Sequence, residues 1–223
     1  MKGIIRCLFF YVLLGQSLLA NEQGAELSWQ ETRAQWKRLI QWPDRCDENM
    51  EPYLEAEQLH GYSVHRWWDE RLLAIVTCAM EDNNFGELLY LETTKNSGKF
   101  NLLSFPQFKA VDRASANIER VISGKLDAAP YYRFHQSLLW GNIRRDLAGG
   151  SIVNTYKYRG LGDCGVLTAY EINGDQIQLA SLQIKDDCHG PWLASESWPL
   201  IDDAEYMAWP VVVLKERVRT IAN

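Results

Sequence analysis

The sequence lacks the motifs by which many enzymes and nucleic-acid-binding proteins are recognised. It has no GxSxG nucleophile elbow, no HExxH helix and no CxxC pair among its five cysteines. It also lacks a continuous apolar run of the roughly twenty residues needed to span a bilayer. Acidic residues outnumber basic ones, 29 against 23, and the net charge of −6 argues against nucleic acid as a partner. We therefore predict no catalytic residue, no metal site and no cofactor.

The first twenty residues have the pattern of a secretory signal peptide. Lys2 and Arg6 form a short basic head, an apolar run covers residues 7–14, and smaller residues extend to Ala20. We predict that residues 1–20 are removed and that the exported, soluble chain contacts a membrane only before this cleavage. An uncleaved N-terminal anchor is the alternative. Cleavage would leave 21 basic and 29 acidic residues, a net charge of −8.

The cysteines indicate disulfide bonds. Because Cys7 lies in the predicted signal peptide, the exported chain keeps an even four: Cys46, Cys78, Cys164 and Cys188. Four cysteines allow three pairings, and proximity along the chain favours Cys46 with Cys78 and Cys164 with Cys188. Each bond would contribute on the order of 3 kcal/mol by the chain-entropy argument.

Hydrophobic periodicity predicts a β-rich α+β protein with antiparallel hairpins, a short N-terminal helix, one or two further helices and two disulfides. The N-terminal helix begins with a capping box, Ser28 with Glu31, and stops near Pro43. A second helix is expected over residues 112–122. Turn residues between strand-like runs predict hairpins at 69–70, 96–98 and 173–175.

The chain divides into two strand-rich parts. Residues 21–125 are predicted to form an N-terminal α+β half with the first disulfide hairpin, and residues 151–223 a C-terminal β-rich half with the second. Residues 126–150 mix aromatic residues with arginines and fit either a helix or strands, so we predict that they link the two halves. The C-terminal run from Trp209 has the pattern of a last strand followed by a short helix.

The second predicted disulfide lies at the ends of the clearest hairpin. Cys164 precedes its first strand, Cys188 follows its second, and Asn173-Gly174 forms the turn. An antiparallel hairpin brings its two open ends together, so a bond between these cysteines would need little distortion. Zinc held by both thiolates is a poorer interpretation, because thiols form disulfides in an oxidising compartment.

The segment RGLGDCG, residues 159–165, contains the candidate ligand-binding residues. Arg159, Gly162 and Asp163 fit a backbone nest for an anion. Alternatively, the glycines supply positive φ and close approach at a tight strand entry, where Asp163 accepts backbone hydrogen bonds. His189 and Trp192, after the second cysteine, complete the candidate set. A calcium site of nearby aspartates is disfavoured because the EF-hand spacing is absent.

The same region resembles a known family. The features are the RGLGDCG segment, then Cys188 with Gly190, and then Trp198 followed by proline. Together they resemble the signature of an uncharacterised family of exported bacterial proteins, a domain of unknown function (DUF1176), and residues 72–92 fit its earlier part. The resemblance implies a periplasmic location in a Gram-negative-type envelope and no established activity.

Two classes of function are compatible with these patterns. A non-catalytic binding or envelope-maintenance factor, with an envelope protein or glycan as its partner, would present an exposed aromatic patch, for which the candidates are Trp67, Trp68, Trp192 and Trp198. An envelope hydrolase would instead combine His189 or His135 with carboxylates of shifted pKa in a cleft. We favour the binding factor, because no catalytic motif supports the hydrolase.

Overall fold

Strands make up most of the regular structure of this protein. The computed structural model describes residues 28–54, 61–81, 84–110, 131–146 and 149–211. Within them, the helices are α1 (Trp29–Ile40), α2 (Asp44–Leu54) and α3 (Asp203–Ala208), with a 3₁₀ turn at Ser195–Ser197. The strands are β1 (Tyr62–Arg66), β2 (Leu72–Glu81), β3 (Asn84–Glu92), β4 (Phe100–Leu102), β5 (Phe105–Ala110), β6 (Tyr131–Gln136), β7 (Leu138–Asp146), β8 (Ser151–Lys157), β9 (Gly165–Asn173) and β10 (Gln176–Lys185). The predicted β-rich α+β class is confirmed.

The first helix begins as its sequence predicts. The Ser28 hydroxyl accepts a hydrogen bond from the Glu31 N–H, and the Glu31 carboxylate accepts one from the Ser28 N–H at 2.9 Å. α1 ends at Ile40, and the residue that caps it, Gln41, has a left-handed backbone. The second helix, α2, was not predicted, because it begins directly after Pro43 and its fully buried positions among those whose burial is described, Cys46 and Met50, form only a single i, i+4 pair. The helix predicted over 112–122 lies outside the described residues.

A single antiparallel sheet runs through both halves of the chain. Its strand order is β1-β2-β3-β7-β8-β9-β10, and β4 pairs with β3 beyond the end of β7. The three predicted hairpins are confirmed as β1–β2, β3–β4 and β9–β10. Residues 126–150, predicted as a linking segment, contain β7, which pairs with β3 through residues 138–141 and with β8 through residues 142–146. β7 therefore connects the two parts of the sheet.

One face of the sheet, the inner face, carries the largest buried cluster. Its residues come from β2, β3, β5, β7, β8 and β9 and from the connections beside them: Trp67, Leu73, Ile75, Leu89, Leu91, Leu103, Phe105, Leu139, Ile152, Tyr170 and Ile172. Strands that are far apart in the sheet can share one cluster only if the sheet curls strongly, as a twisted antiparallel sheet readily does. The antiparallel strand pair β5–β6 and the segment around Trp209 cover the inner face of β9 and β10.

The opposite, outer face of β1 to β3 is covered by the two N-terminal helices. Ile40, Trp42 and Cys46 pack there against Val76 and Tyr90. This is an ordinary arrangement for an antiparallel sheet, because each face must be covered or polar. Among the helices of the described residues, none combines the length and apolar character that crossing a membrane requires.

Buried charges fix the turns at the far end of the β9–β10 hairpin. Arg71 donates to the Asp69 carboxylate at 2.7 Å, to the Glu92 carbonyl at 3.2 Å and to the Gly174 carbonyl at 3.0 Å. The Glu92 carboxylate in turn accepts hydrogen bonds from the N–H groups of Leu72 and Gly98. These bonds satisfy buried polar groups and join the turns of all three hairpins.

Candidate functional site

Two loops meet at the open end of the β9–β10 hairpin. The first, residues 158–164, leads from β8 into β9, and the second, residues 186–194, follows β10; we call them the disulfide loops. Cys164 and Cys188 are bonded to each other across them, with a Cα–Cα distance of 5.0 Å. The second bond, Cys46–Cys78, joins α2 to β2. Both predicted pairings are confirmed.

An arginine bridges the two disulfide loops. Arg159 Nε donates to Asp163 Oδ1 at 2.8 Å, and its Nη2 donates both to Asp163 Oδ2 and to the carbonyl of Cys188. The paired guanidinium lowers the pKa of the buried Asp163 carboxyl to about 2. The structure therefore brings together Arg159 and Asp163, two of the candidate ligand-binding residues, and pairs their charges with each other.

A buried lysine supports the same loops from the end of β10. Lys185 Nζ donates to the carbonyl of Asp163 at 2.7 Å and to the carbonyl of Asp187 at 2.5 Å. These two carbonyls immediately precede the two cysteines. The ammonium group therefore fixes the backbone on both sides of the disulfide.

The glycines of the first loop have the conformations that the structural alternative requires. Gly162 has φ of +66° and donates its N–H to the Arg159 carbonyl at 3.0 Å in a tight turn. A Cβ on Gly165 would lie 2.1 Å from the carbonyl oxygen of Tyr156, closer than any side chain permits. The conformations of these glycines therefore match the tight strand entry that the sequence offered as the alternative to a nest for an anion.

The remaining predicted residues lie on the solvent side of the second loop. His189 is exposed, and its backbone N–H donates to Asp187 Oδ1 at 2.8 Å. Trp192 is 69% exposed, and Leu161 on the first loop is 76% exposed. The loops therefore combine a rigid base with large apolar side chains in water.

The predicted aromatic patch is wrong for two of its four members. Trp67 and Trp198 are each only 2% exposed. Trp67 belongs to the inner core, and Trp198 donates its indole N–H to the Leu193 carbonyl at 3.2 Å. Trp68 is exposed, but it packs against Gly150 at the β7–β8 turn, away from Trp192. Trp67 is buried and Trp68 is exposed, because the side chains of adjacent residues in this extended segment after β1 point to opposite sides.

A second polar group, missed by the sequence analysis, lies on the inner face near the edge strand β1. His65 Nε2 lies 3.0 Å from the Ser63 hydroxyl, and Arg145 from the end of β7 approaches His65 Nε2 at 2.6 Å and Ser63 Oγ at 3.4 Å. Burial first, and then the Arg145 charge, lower the pKa of His65. We call Ser63, His65, Arg145 and the nearby Glu87 the Arg145 cluster.

Glu87 belongs to this cluster through electrostatics. It lies on β3 opposite Thr77, on the same face as the core residues Leu89 and Leu91. Burial raises the pKa of its carboxyl to about 7, against the opposing effects of the Arg145 charge and the Thr77 hydroxyl. Two signals were present in the sequence: the alternation of Ser63 and His65 along one strand, and a carboxyl in register with core leucines.

The comparison with protein families decides the family of the chain. A family model described as a protein of unknown function (DUF1176) matches residues 19–202. The chain belongs to the DUF1176 family. The resemblance in residues 159–199 is thereby confirmed, and the family description names no activity. Searches of curated proteins and of solved structures found no match.

The disulfides of this DUF1176 chain bear on its environment and on metal binding. Two disulfide bonds indicate an oxidising, extracellular-type environment, because cytosolic thiols are kept reduced. Cys164 and Cys188 bind each other, so neither thiolate is available to zinc. In the part of the chain that the structure describes, no three His, Cys, Asp or Glu side chains are grouped so that they could hold a metal ion.

Proposed function

We propose that this chain is an exported periplasmic protein that binds a component of the cell envelope and catalyses no reaction. The signal-peptide pattern of residues 1–20 and the two disulfides support the location. The disulfide loops are the proposed binding surface. An envelope protein or glycan is the proposed partner, since both are recognised by exposed aromatic side chains.

The observation that carries the binding proposal is the contrast between the base and the tips of the disulfide loops. The base is fixed by Cys164–Cys188, by the Arg159–Asp163 pair and by Lys185. Large apolar side chains project from both loops: Tyr158, Leu161, Trp192 and Leu193 are all exposed.

This contrast favours binding for an energetic reason. A surface that is already ordered loses little conformational entropy when a partner binds, so more of the contact energy remains as affinity. Tryptophan is also among the side chains that contribute most at binding surfaces. We therefore assign the main contact to Trp192 and Leu161.

The hydrolase alternative has less support at the residues predicted for it. His135 on β6 and His189 are both exposed. The carboxylate nearest along the chain to His189, Asp187, accepts the backbone N–H of His189. Among the described residues, the imidazole hydrogen bonds are those of His65, so neither His135 nor His189 is paired there with a nucleophile as its general base.

The proposal is tested by site-specific photo-crosslinking in a Gram-negative host that expresses the full chain. A photoreactive residue replaces Trp192 in one strain and Leu102 in the other; Leu102 is also exposed, on β4 near the opposite end of the hairpin. We expect an adduct of one discrete mass, recovered from the periplasmic fraction, for position 192 only. Equal labelling at both positions, or a chain retained in the cytosol, would contradict the proposal.

A further inference from the structure

Arg145 joins two strands that are not neighbours in the sheet. Ser63 and His65 alternate along β1, so their side chains share the inner face, and Arg145 reaches them from the end of β7. This end of the sheet is distant in register from the disulfide loops, because Arg145 pairs with Ile152 at the start of β8, whereas the loops begin after its last residue. The Arg145 cluster is therefore a separate place in the fold.

In the part of the chain that the structure describes, the charge of Arg145 has no opposite charge at contact distance. Among the described residues, no carboxylate oxygen lies within 4.0 Å of its guanidinium. The preceding residue, Arg144, points to the other face of β7 and pairs with Glu196 at 2.9 Å. A guanidinium has several N–H donors in one plane, so Arg145 keeps donors that can bind an oxyanion in addition to its contacts with His65 and Ser63.

The contact between Arg145 and His65 sets the protonation state of the imidazole. Since the guanidinium only donates, His65 Nε2 at 2.6 Å must accept, which requires a neutral ring. An imidazolium at the same place would repel the guanidinium. An anion bound to both groups would remove that repulsion, so that binding of the anion and protonation of His65 favour each other.

The other neighbours of His65 are compatible with a bound anion. Opposite it, β2 presents the apolar Leu73. Among the described residues, the charge that acts on His65 is that of Arg145 from β7, and Glu87 from β3 lies within electrostatic reach of Arg145. Because burial raises the pKa of Glu87 to about 7, this carboxyl is largely neutral at mildly acidic pH and then does not repel an anion.

We propose that Arg145, His65 and Ser63 form a binding site for one oxyanion, a sulfate, phosphate or carboxylate group, which is taken up together with a proton. Arg145 supplies the permanent charge, Ser63 a hydroxyl donor, and His65 the group that gains the proton. The competing interpretation is structural: Arg145 holds the edge strand β1 to the end of β7 and binds nothing.

The experiment is an NMR titration of the histidine imidazole signals of the full chain with sulfate, whose charge is constant near neutral pH. Sodium chloride at equal ionic strength is the reference, and a His65→Gln variant identifies the His65 signal. We expect sulfate to shift the His65 signal saturably at about pH 6 and to raise the pKa of His65. The apparent affinity should fall about tenfold or more between about pH 6 and about pH 8, because one proton accompanies each anion.

Two arginine variants separate the proposal from the structural interpretation. Arg145→Gln should abolish the sulfate-dependent shift of His65, whereas Arg144→Gln, the matched control on the other face, should leave it unchanged. A His65 signal that responds to sulfate no more than to chloride would overturn the proposal, as would equal binding by Arg145→Gln. The wild-type titration decides by itself if Arg145→Gln does not fold.

Discussion

The bond Cys46–Cys78 joins a helix to the outer face of the sheet, whereas Cys164–Cys188 joins two loops at the end of a hairpin. Cys46 and Cys78 are 0% and 4% exposed, inside the cluster that also holds Ile40, Trp42 and Tyr90. In the second bond Cys164 is fully buried and Cys188 half-buried, and the loops around them carry the exposed Leu161 and Trp192. The same covalent bond thus closes a core in one region and shapes a surface in the other.

Chain entropy hardly distinguishes the two bonds. Their sequence separations are 32 and 24 residues, and each bond therefore stabilises the fold by about 3 to 4 kcal/mol in the loop-closure model. Any larger difference between them must come from packing in the folded state. Removing each bond in turn measures that difference.

The largest effect is expected for the double substitution Cys46→Ala and Cys78→Ala. The loss of the cross-link costs about 3 to 4 kcal/mol, and the space left in a fully buried cluster adds about 1 to 2 kcal/mol. The free energy of unfolding, measured by urea denaturation under oxidising conditions, should fall by about 5 kcal/mol. A loss no greater than that caused by removing the second bond would show that the packing around Cys46 contributes nothing further.

A smaller effect is expected for Cys164→Ala with Cys188→Ala. Here the cost should be about 3 kcal/mol, close to chain entropy alone, because the Arg159–Asp163 pair and Lys185 still join the loops. The same urea experiment checks it, with near-ultraviolet circular dichroism as a control for the core around Trp42. Loss of the near-ultraviolet signal at low urea would mean that this bond, too, is needed for the core.

The smallest effect is expected for Asp163→Asn, and it depends on pH. The folded pKa of Asp163, about 2, lies below the usual value of 3.8, so its stabilising contribution is complete above about pH 4 and is lost as the pH falls towards 2. The free energy of unfolding of the variant should therefore vary less with pH than that of the wild type in this window. Glu171→Gln, an exposed carboxyl on β9, serves as the control and should retain the wild-type slope.

The features predicted correctly are those that depend on neighbouring residues. The capping box at Ser28, the Asn-Gly turn at 173–174 and the cysteines at both ends of its hairpin are specified within short stretches of sequence. They gave the first helix, the hairpins and both disulfide pairings.

The features that were missed depend on contacts between distant residues. The pairing of β3 with β7 crosses about fifty residues, and Arg145 at the end of β7 contacts His65, which lies 80 residues earlier in the chain. No pattern within a short stretch of sequence shows that the edge strand β1 lies near the end of β7. The burial of Trp67 and Trp198 has the same origin, because an aromatic residue in a strand-rich sequence does not show which face will be covered.

The two bonds also join the cysteines in the order in which they occur along the chain. Apart from Cys7 in the predicted signal peptide, Cys78 is the first partner available to Cys46 in a polypeptide that is oxidised from its N-terminus as it emerges from a channel, and the two can be bonded before Cys164 appears. Cys188 then follows as the partner of Cys164. Oxidation in the order of emergence yields the native connectivity directly, so that no wrong bond has to be reduced and re-formed by an isomerase.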